Sequence, residues 1–169
     1  HNLEEISEVA DRVAIMNIGT IEQVGTVQEM LRHPINQYVA EFTRTKNIFH
    51  GSSISTDNGC QVSVNNTIRF HTKSKIAGNV LLIIRPEEIQ FNKKHLNTSE
   101  LDKNIFSGKI VKIVNKGSFI SLEIDIGILL TVHTMGYIMY TDSGVQKGDI
   151  VSVLIPPDAV HLISHNNWV

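Results

Sequence analysis

The sequence predicts a mainly β protein that begins with a short α/β segment. Helical periodicity is confined to residues 1–45, where apolar positions recur every three or four residues. From Asn47 onward, short apolar or alternating runs are separated by Gly, Asn and Asp turn signals. Many short strands at close spacing favour a small barrel or sandwich, because such folds close their sheet edges.

The stretch of residues 1–26 is predicted to form a helix, a strand, a turn and a second strand. Asn2 is placed to cap the helix, and Glu5 follows three residues later, as in a capping box. Residues 13–16 are continuously apolar and favour a buried strand. After a turn, residues 20–24 alternate and favour a half-buried strand.

Two short helices are predicted next. Residues 27–32 have their apolar side chains on one side. This helix is expected to stop at His33-Pro34, because proline disfavours helix in the residue before it. A second helix is expected over residues 35–43, with Tyr38, Val39 and Phe42 on one face.

A domain boundary is expected in the polar stretch 43–47, which lacks periodicity. The predicted domains are residues 1–45 and 46–169. The second domain contains two strand sets, 47–92 and 104–165, on either side of a polar loop. The strands predicted within them are 61–64, 67–70, 80–84, 106–113, 118–126, 129–133 and 150–155.

Composition and charge exclude several classes of protein. The chain has 169 residues, 41% of them hydrophobic, and a formal net charge of -2. Proteins that wrap nucleic acid normally have a basic surface, so no nucleic-acid partner is expected. No apolar run reaches membrane-spanning length, so no direct membrane insertion is expected. Cys60 is the single cysteine, which excludes an intramolecular disulfide and fits a reducing cytoplasmic setting.

Several motifs resemble a known family. The first stretch contains H-x-x-x-E from residue 1, A-D-R-V-A-I-M from residue 10 and G-x-I-E-Q-V-G-T from residue 19. This order resembles the closing segment of the ATPase domain of ABC importers. Arg85-Pro86-Glu87-Glu88-Ile89 resembles the R-P-E-x-I signature of the transport-associated OB (TOBE) domains that follow such ATPases. The resemblance implies a small OB-like β-barrel of the TOBE type after the tail of an ABC ATPase domain.

The second strand set resembles the molybdate/tungstate-type regulatory domain in particular. The matching segments are N-x-F-x-G-K-I from residue 104, G-x-x-x-x-L-x-x-x-x-G from residue 117, G-D at residue 148 and A-V-H-L-I from residue 159. The strand pattern of the last segment also weakens a zinc hypothesis for His161 and His165. Strand rise would separate two such histidines by roughly 12 Å or more, too far for one metal ion.

The resemblance assigns a catalytic role to His1, which falls on the switch-loop histidine. In the intact family that residue contacts the terminal phosphate and orients the attacking water. An ATPase also needs a phosphate loop, yet no G-x-x-x-x-G-K-[ST] occurs, and the pair Gly108-Lys109 lacks the second glycine. We therefore expect no enzyme activity and no cofactor in this fragment, with His1 inactive. ATP and Mg would belong to the intact parent.

A candidate oxyanion site follows from the same resemblance. A tetrahedral dianion cannot donate hydrogen bonds, so its site needs clustered donors. Lys103-Asn104 is a partial counterpart of the family's S-x-R-N segment, with lysine for arginine and Leu101 in place of the serine, and Thr131 and Thr134 could add hydroxyl donors. The family's K-A-[ST] segment is replaced by Pro156-Pro157-Asp158, whose carboxylate would repel a dianion. Two alternatives stay open: a working oxyanion site, or a barrel with a structural or dimerising role.

The predicted function is the C-terminal regulatory and dimerisation portion of the ATP-binding subunit of an ABC importer of the molybdate/tungstate type. The resemblance implies a homodimer, bound to a permease, that is cytoplasmic and peripheral on the inner face of the membrane. Oxyanion bound between barrels would slow transport. The alternative is a ligand-free dimerisation module, or one that binds a regulatory protein, in an importer for a sugar, polyamine or iron.

Overall fold

A computed structural model describes residue 6 and residues 9–92, 104–135 and 144–164. The predicted N-terminal helix falls mostly outside these residues, as do its capping residues Asn2 and Glu5. Within them, the backbone N–H of Ala10 donates to the carbonyl of Ile6 at 3.0 Å, which is one helical hydrogen bond. His1 and Lys103 also lie outside the described residues, so no structural statement is made about either.

Residues 13–45, here called the tail segment, contain a hairpin and two short helices. Strands β1 (Val13–Asn17) and β2 (Thr20–Gly25) pair in antiparallel fashion around Ile18 and Gly19, which both have positive φ. Helices α1 (Val27–Arg32) and α2 (Gln37–Phe42) follow, close to the predicted ranges. Thr26 and Glu29 form a capping box at the start of α1, because each side chain binds the other residue's backbone N–H.

Ten strands follow the tail segment and form what we call the two-sheet module. They are β3 (Asn47–Thr56), β4 (Gly59–Val64), β5 (Ile68–Thr72), β6 (Gly78–Ile84), β7 (Gln90–Asn92), β8 (Ile105–Asn115), β9 (Ile120–Asp125), β10 (Leu129–Thr134), β11 (Ile150–Leu154) and β12 (Val160–Ser164). The mainly β fold with an N-terminal α/β segment is therefore confirmed. A short 3-10 turn precedes β7 at Pro86–Glu88, and another precedes β12 at Pro157–Ala159.

The two sheets of the module exchange strands. One sheet has the order β12-β6-β3-β4-β5, and the other has the order β10-β9-β8-β11-β7. The last strand of each predicted set therefore pairs in the sheet of the other set: β7 with β11, and β12 with β6. One cluster of buried apolar side chains, including Phe70, Leu82 and Leu122, joins both sheets. The exchange makes the two sets a single packed unit.

The module is an internal repeat. K-N-I-F-H-G from residue 46 and K-N-I-F-S-G from residue 103 open the two sets, and β3 to β7 recur in the same order as β8 to β12. The glycine that ends each motif lies very close to side chains of the neighbouring strand. A Cβ on Gly51 would come within 2.9 Å of Val62, and one on Gly108 within 2.6 Å of Ile124. Both positions need glycine for the same steric reason.

Three local expectations differ from the structure. Strand β3 was not predicted, because much of it is polar and exposed, yet it pairs with β4 and β6 along its length. The strand predicted at 80–84 begins two residues earlier, since Gly78 begins β6 with a φ of 97°. Asn47, expected in a linker, is buried at the start of β3. The division into domains 1–45 and 46–169 stays a prediction.

The tail segment packs on the outer face of the sheet that contains β6. Ala40 of α2 is fully buried against Leu81 and Ile83 of β6 and Ile163 of β12. Within the tail segment, Ile15, Met30 and Val39 form a separate small core. None of the helices in the described part of the chain has the length and apolar character needed to span a bilayer.

Candidate coupling site between the tail segment and the module

Asn104 acts as a clamp on the edge of β5. Its side-chain oxygen accepts a hydrogen bond from the backbone N–H of His71 at 2.6 Å, and its Nδ2 donates to the carbonyl of His71 at 2.7 Å. The amide thus takes the place of a neighbouring strand residue, and the side chain is fully buried. Both ends of the predicted ligand-binding amide are occupied by backbone.

Thr131 is held by an equivalent clamp. The side chain of Asn47 accepts from the backbone N–H of Thr131 at 2.7 Å and donates to its carbonyl at 2.8 Å. Thr134 ends the same strand and is half-buried. Asn104 and Thr131 therefore belong to two equivalent clamps, one at the edge of each sheet. The predicted oxyanion role of Asn104, Thr131 and Thr134 stays a prediction.

Charged groups gather near the Thr131 clamp. The ring of His133 contacts that of Phe119 in a tilted arrangement, with ring centroids 4.3 Å apart. Burial lowers the pKa of His133, and the nearby charges of Arg85, Lys116 and Lys46 lower it further, whereas Glu87 opposes them. In the other repeat, Lys73 and Asp158 stand at the positions equivalent to His133 and Glu87. They form an exposed ion pair, with Nζ of Lys73 2.7 Å from Oδ2 of Asp158. Asp158, expected to repel an anion, is thus already paired with a cation.

Arg85 connects the tail segment to the module. Its Nη1 donates to the carbonyl of Leu31 at 3.0 Å and to Oγ1 of Thr45 at 3.1 Å, while its Nε donates to Glu87 at 2.6 Å. The guanidinium is well buried, with 13% of the side chain exposed. Burial raises the pKa of Glu87, but the hydrogen bond from Arg85, a backbone hydrogen bond and the charge of Arg85 together outweigh it, so the net pKa is lowered. Arginine suits this position because its planar fork binds several acceptors at once.

His161 makes a second connection. Its Nε2 lies 3.0 Å from the carbonyl oxygen of Pro34, and its ring meets that of His33 edge-on at 5.5 Å. A carbonyl only accepts, so Nε2 must carry the proton in this contact. Burial lowers the pKa of His161, although the bond to Pro34 favours the protonated ring. The neutral imidazole is therefore favoured here.

A cavity of about 530 Å³ lies between these two connections. It is bounded by the end of α1 and by two equivalent parts of the repeat, each containing a 3-10 turn. Its lining residues are Arg32, His33, Ile83, Arg85, Glu87, Glu88, Gln90, Pro156, Asp158, Ala159 and His161. Burial raises the pKa of Glu88, and the nearest cation to its carboxylate, Arg32, is 3.9 Å away. The lining carries both signs of charge and joins the tail segment to both repeats.

The pair Gly108-Lys109 does not form a phosphate loop. The glycine of the pair Gly108-Lys109 is buried in β8, where a Cβ would meet the side chains of Ile124 and Ile126, so its backbone cannot cradle a phosphate. Over residue 6 and residues 9–92, 104–135 and 144–164, no group of three or more His, Cys, Asp or Glu residues is placed to hold a metal.

Sequence reasoning located Arg85 by its motif and missed what it binds. Its partners are a carbonyl of α1 and a hydroxyl, and neither has a sequence signal that indicates an arginine contact. The equivalence of Asn47 and Asn104 could have been found, because both stand in the repeated motif K-N-I-F-x-G. Comparing the two motifs would also have revealed the repeat.

Comparisons with known proteins agree with this architecture. No family model matches the chain. It is 27% identical over 162 residues to a molybdate/tungstate import ATP-binding protein of Pyrococcus horikoshii, covering 96% of this chain and 45% of that protein. It is 31% identical over 134 residues to a spermidine/putrescine import ATP-binding protein of Legionella pneumophila, covering 75% and 35%. The chain thus spans less than half the length of these relatives.

A solved structure shows the same fold. The cytoplasmic molybdate-binding protein ModG, in a molybdate-bound crystal form, superposes with a TM-score of 0.58 and 12% sequence identity. The match covers 70% of this chain and 95% of ModG. At this level of identity the likeness concerns the fold alone, and the fold is that of an OB-type molybdate-binding protein.

Proposed function

Because this chain is homologous to part of the ATP-binding subunits of ABC importers, we propose that its two-sheet module regulates such a subunit and that Arg85 couples the module to the ATPase tail. In this role the module is part of a homodimer that binds a permease on the inner face of the membrane. Hydrolysis of ATP with Mg is proposed for the whole subunit, because the residues of this chain include no phosphate loop.

The Arg85 contacts are the observation that supports this proposal. One buried guanidinium holds the last turn of α1, the end of the tail segment and the 3-10 turn of the module. A displacement of the module must either move α1 or break charge-assisted hydrogen bonds. Coupling of two sites requires such an element, whose arrangement both sites can bias.

The test uses the full-length subunit with its permease in proteoliposomes. ATP hydrolysis and uptake are measured with molybdate, tungstate, spermidine and putrescine, each also supplied on the ATP-binding side. We expect one class of cargo to be transported. We expect the same cargo, supplied on the ATP-binding side, to change the rate of ATP hydrolysis. Arg85→Gln should reduce this change at least about tenfold, as expected for losing about 1.4 kcal/mol of coupling. The exposed Arg69→Gln is the matched control. An Arg85→Gln subunit regulated like the wild type would refute the coupling role.

A tetrahedral oxyanion is the ligand that the fold favours for the module. The supporting observations are the likeness to a molybdate-binding fold and the positive charges of Lys46 and Lys116 near His133, which lies on the same strand as Thr131. Isothermal titration of this chain with molybdate, tungstate and sulfate tests it. We expect heat with molybdate and tungstate, and weaker binding in Lys46→Gln. An absence of heat with all three at millimolar concentration would leave a ligand-free dimerisation module, and polyamine transport in the previous assay would assign a different cargo.

A further inference from the structure

We propose that His161 is a proton-operated latch, which as a neutral imidazole fastens the tail segment to the module and on protonation releases it. The latch is the contact of His161 with Pro34 and His33 at the cavity rim. It lies on β12 and, like Arg85, lines the cavity. Because β12 also pairs with β6, the latch joins the tail segment to both repeats.

In the docked geometry the neutral ring already has a hydrogen-bond partner, and the charged ring gains no further one. Nε2 already donates to the carbonyl of Pro34, so protonation adds a proton only at Nδ1. The added charge lies in a partly desolvated place beside the His33 ring. A charge that gains no carboxylate partner on burial opposes docking.

The acidic groups around the cavity are already engaged by other cations. Glu87, in the 3-10 turn that precedes β7, accepts a hydrogen bond from Arg85. Asp158, in the 3-10 turn that precedes β12, pairs with Lys73. Glu88 faces Arg32, which comes from the end of α1 together with His33. Within the described part of the chain, none of these carboxylates forms a hydrogen bond or an ion pair with His161, so none supplies the counter-charge that would stabilise an imidazolium there.

The sign of the pH dependence follows from linkage. In the docked state the pKa of His161 is lowered below its ordinary value of about 6.5, so the undocked state binds more protons between the two values. Docking is therefore strongest above pH 6.5 and weakens as the pH falls toward the lowered value. Glu88 acts oppositely: its raised pKa favours docking as the pH falls toward 4.5. A Glu88→Gln background removes this second effect.

The repeat suggests the decisive variant. The position equivalent to His161 in the first repeat is Gln90, because each pairs at the same place after a 3-10 turn. Glutamine donates a hydrogen bond but does not titrate. His161→Gln should therefore keep the contact with Pro34 and lose the pH response, whereas His161→Leu should weaken docking at every pH. The exposed His50→Gln is the control for removing one histidine elsewhere.

The experiment is hydrogen exchange of this chain, read by mass spectrometry over residues 27–45 and corrected for intrinsic exchange rates. In the wild type we expect the opening constant of this segment to rise as the pH falls from 7.5 to 5.5. At about one pH unit below 6.5 the rise should be up to about tenfold. His161→Gln should vary less than about twofold, and His50→Gln should follow the wild type. Imidazole resonances followed by NMR should show His161 titrating below 6.5 while the segment is docked.

Two outcomes would overturn the latch: a His161→Gln chain with the pH response of the wild type, or a wild type whose docking does not change with pH. If His161→Gln does not fold, the NMR titration decides, because an imidazole that titrates at or above 6.5 in the docked state contradicts the proposal. The latch depends on the proposed coupling role only for its effect on transport. Docking is measured on this chain alone, so either proposal can fail without the other.

Discussion

At the scale of residues, a few polar side chains hold the module in register. Asn47 and Asn104 each replace a missing strand neighbour at a sheet edge. A bare edge exposes unpaired backbone groups that invite pairing with other chains, and a side-chain amide that satisfies them removes that hazard locally. Asn104 was singled out from the sequence as an anion ligand, and its motif could not reveal that its amide binds the backbone of His71, 33 residues away.

We predict that removing either clamp destabilises the fold by a similar amount. Asn104→Ala loses two hydrogen bonds to His71, and Asn47→Ala loses two to Thr131 and one to Ile84. With roughly 1 kcal/mol for each bond, the expected loss is about 2–3 kcal/mol in either variant. Urea unfolding measures it, with the exposed Asn79→Ala as control. A loss below about 0.5 kcal/mol in Asn104→Ala would show that its amide is free for another role, such as anion binding.

At the scale of elements, local pattern predicted some strands and long-range pairing determined others. Strand β6 was predicted because it contains five consecutive buried apolar residues. Strand β3 was missed because its Ser and Thr residues weaken the apolar alternation, while its two partner strands stabilise it in place. The sequence carries no local signal of the exchange of β7 and β12, because the pattern of each strand would be the same in either sheet. The cavity could therefore not be predicted, since it depends on β12, which brings His161 to the tail segment.

At the scale of the whole molecule, the exchanged strands should make the two repeats unfold as one unit. Each sheet contains strands from both sets, and one apolar core joins them. A defect introduced in the second repeat should therefore lower the stability of the first. Cooperative units of this kind appear in hydrogen exchange as groups of amides with a common free energy of opening.

Gly108→Ala provides that defect. Its Cβ would lie 2.6 Å from Ile124 and 2.7 Å from Ile126, closer than packed side chains tolerate, and relieving such a clash typically costs about 1–3 kcal/mol. We expect amides of β3 and β6 to lose as much protection as those of β8 and β11, measured by NMR hydrogen exchange. The exposed neighbour Ser107→Ala is the control and should leave both sets unchanged. Loss of protection confined to β8 to β11 would mean that the repeats unfold separately despite the exchange, and a signal received by one repeat would then reach the other only weakly.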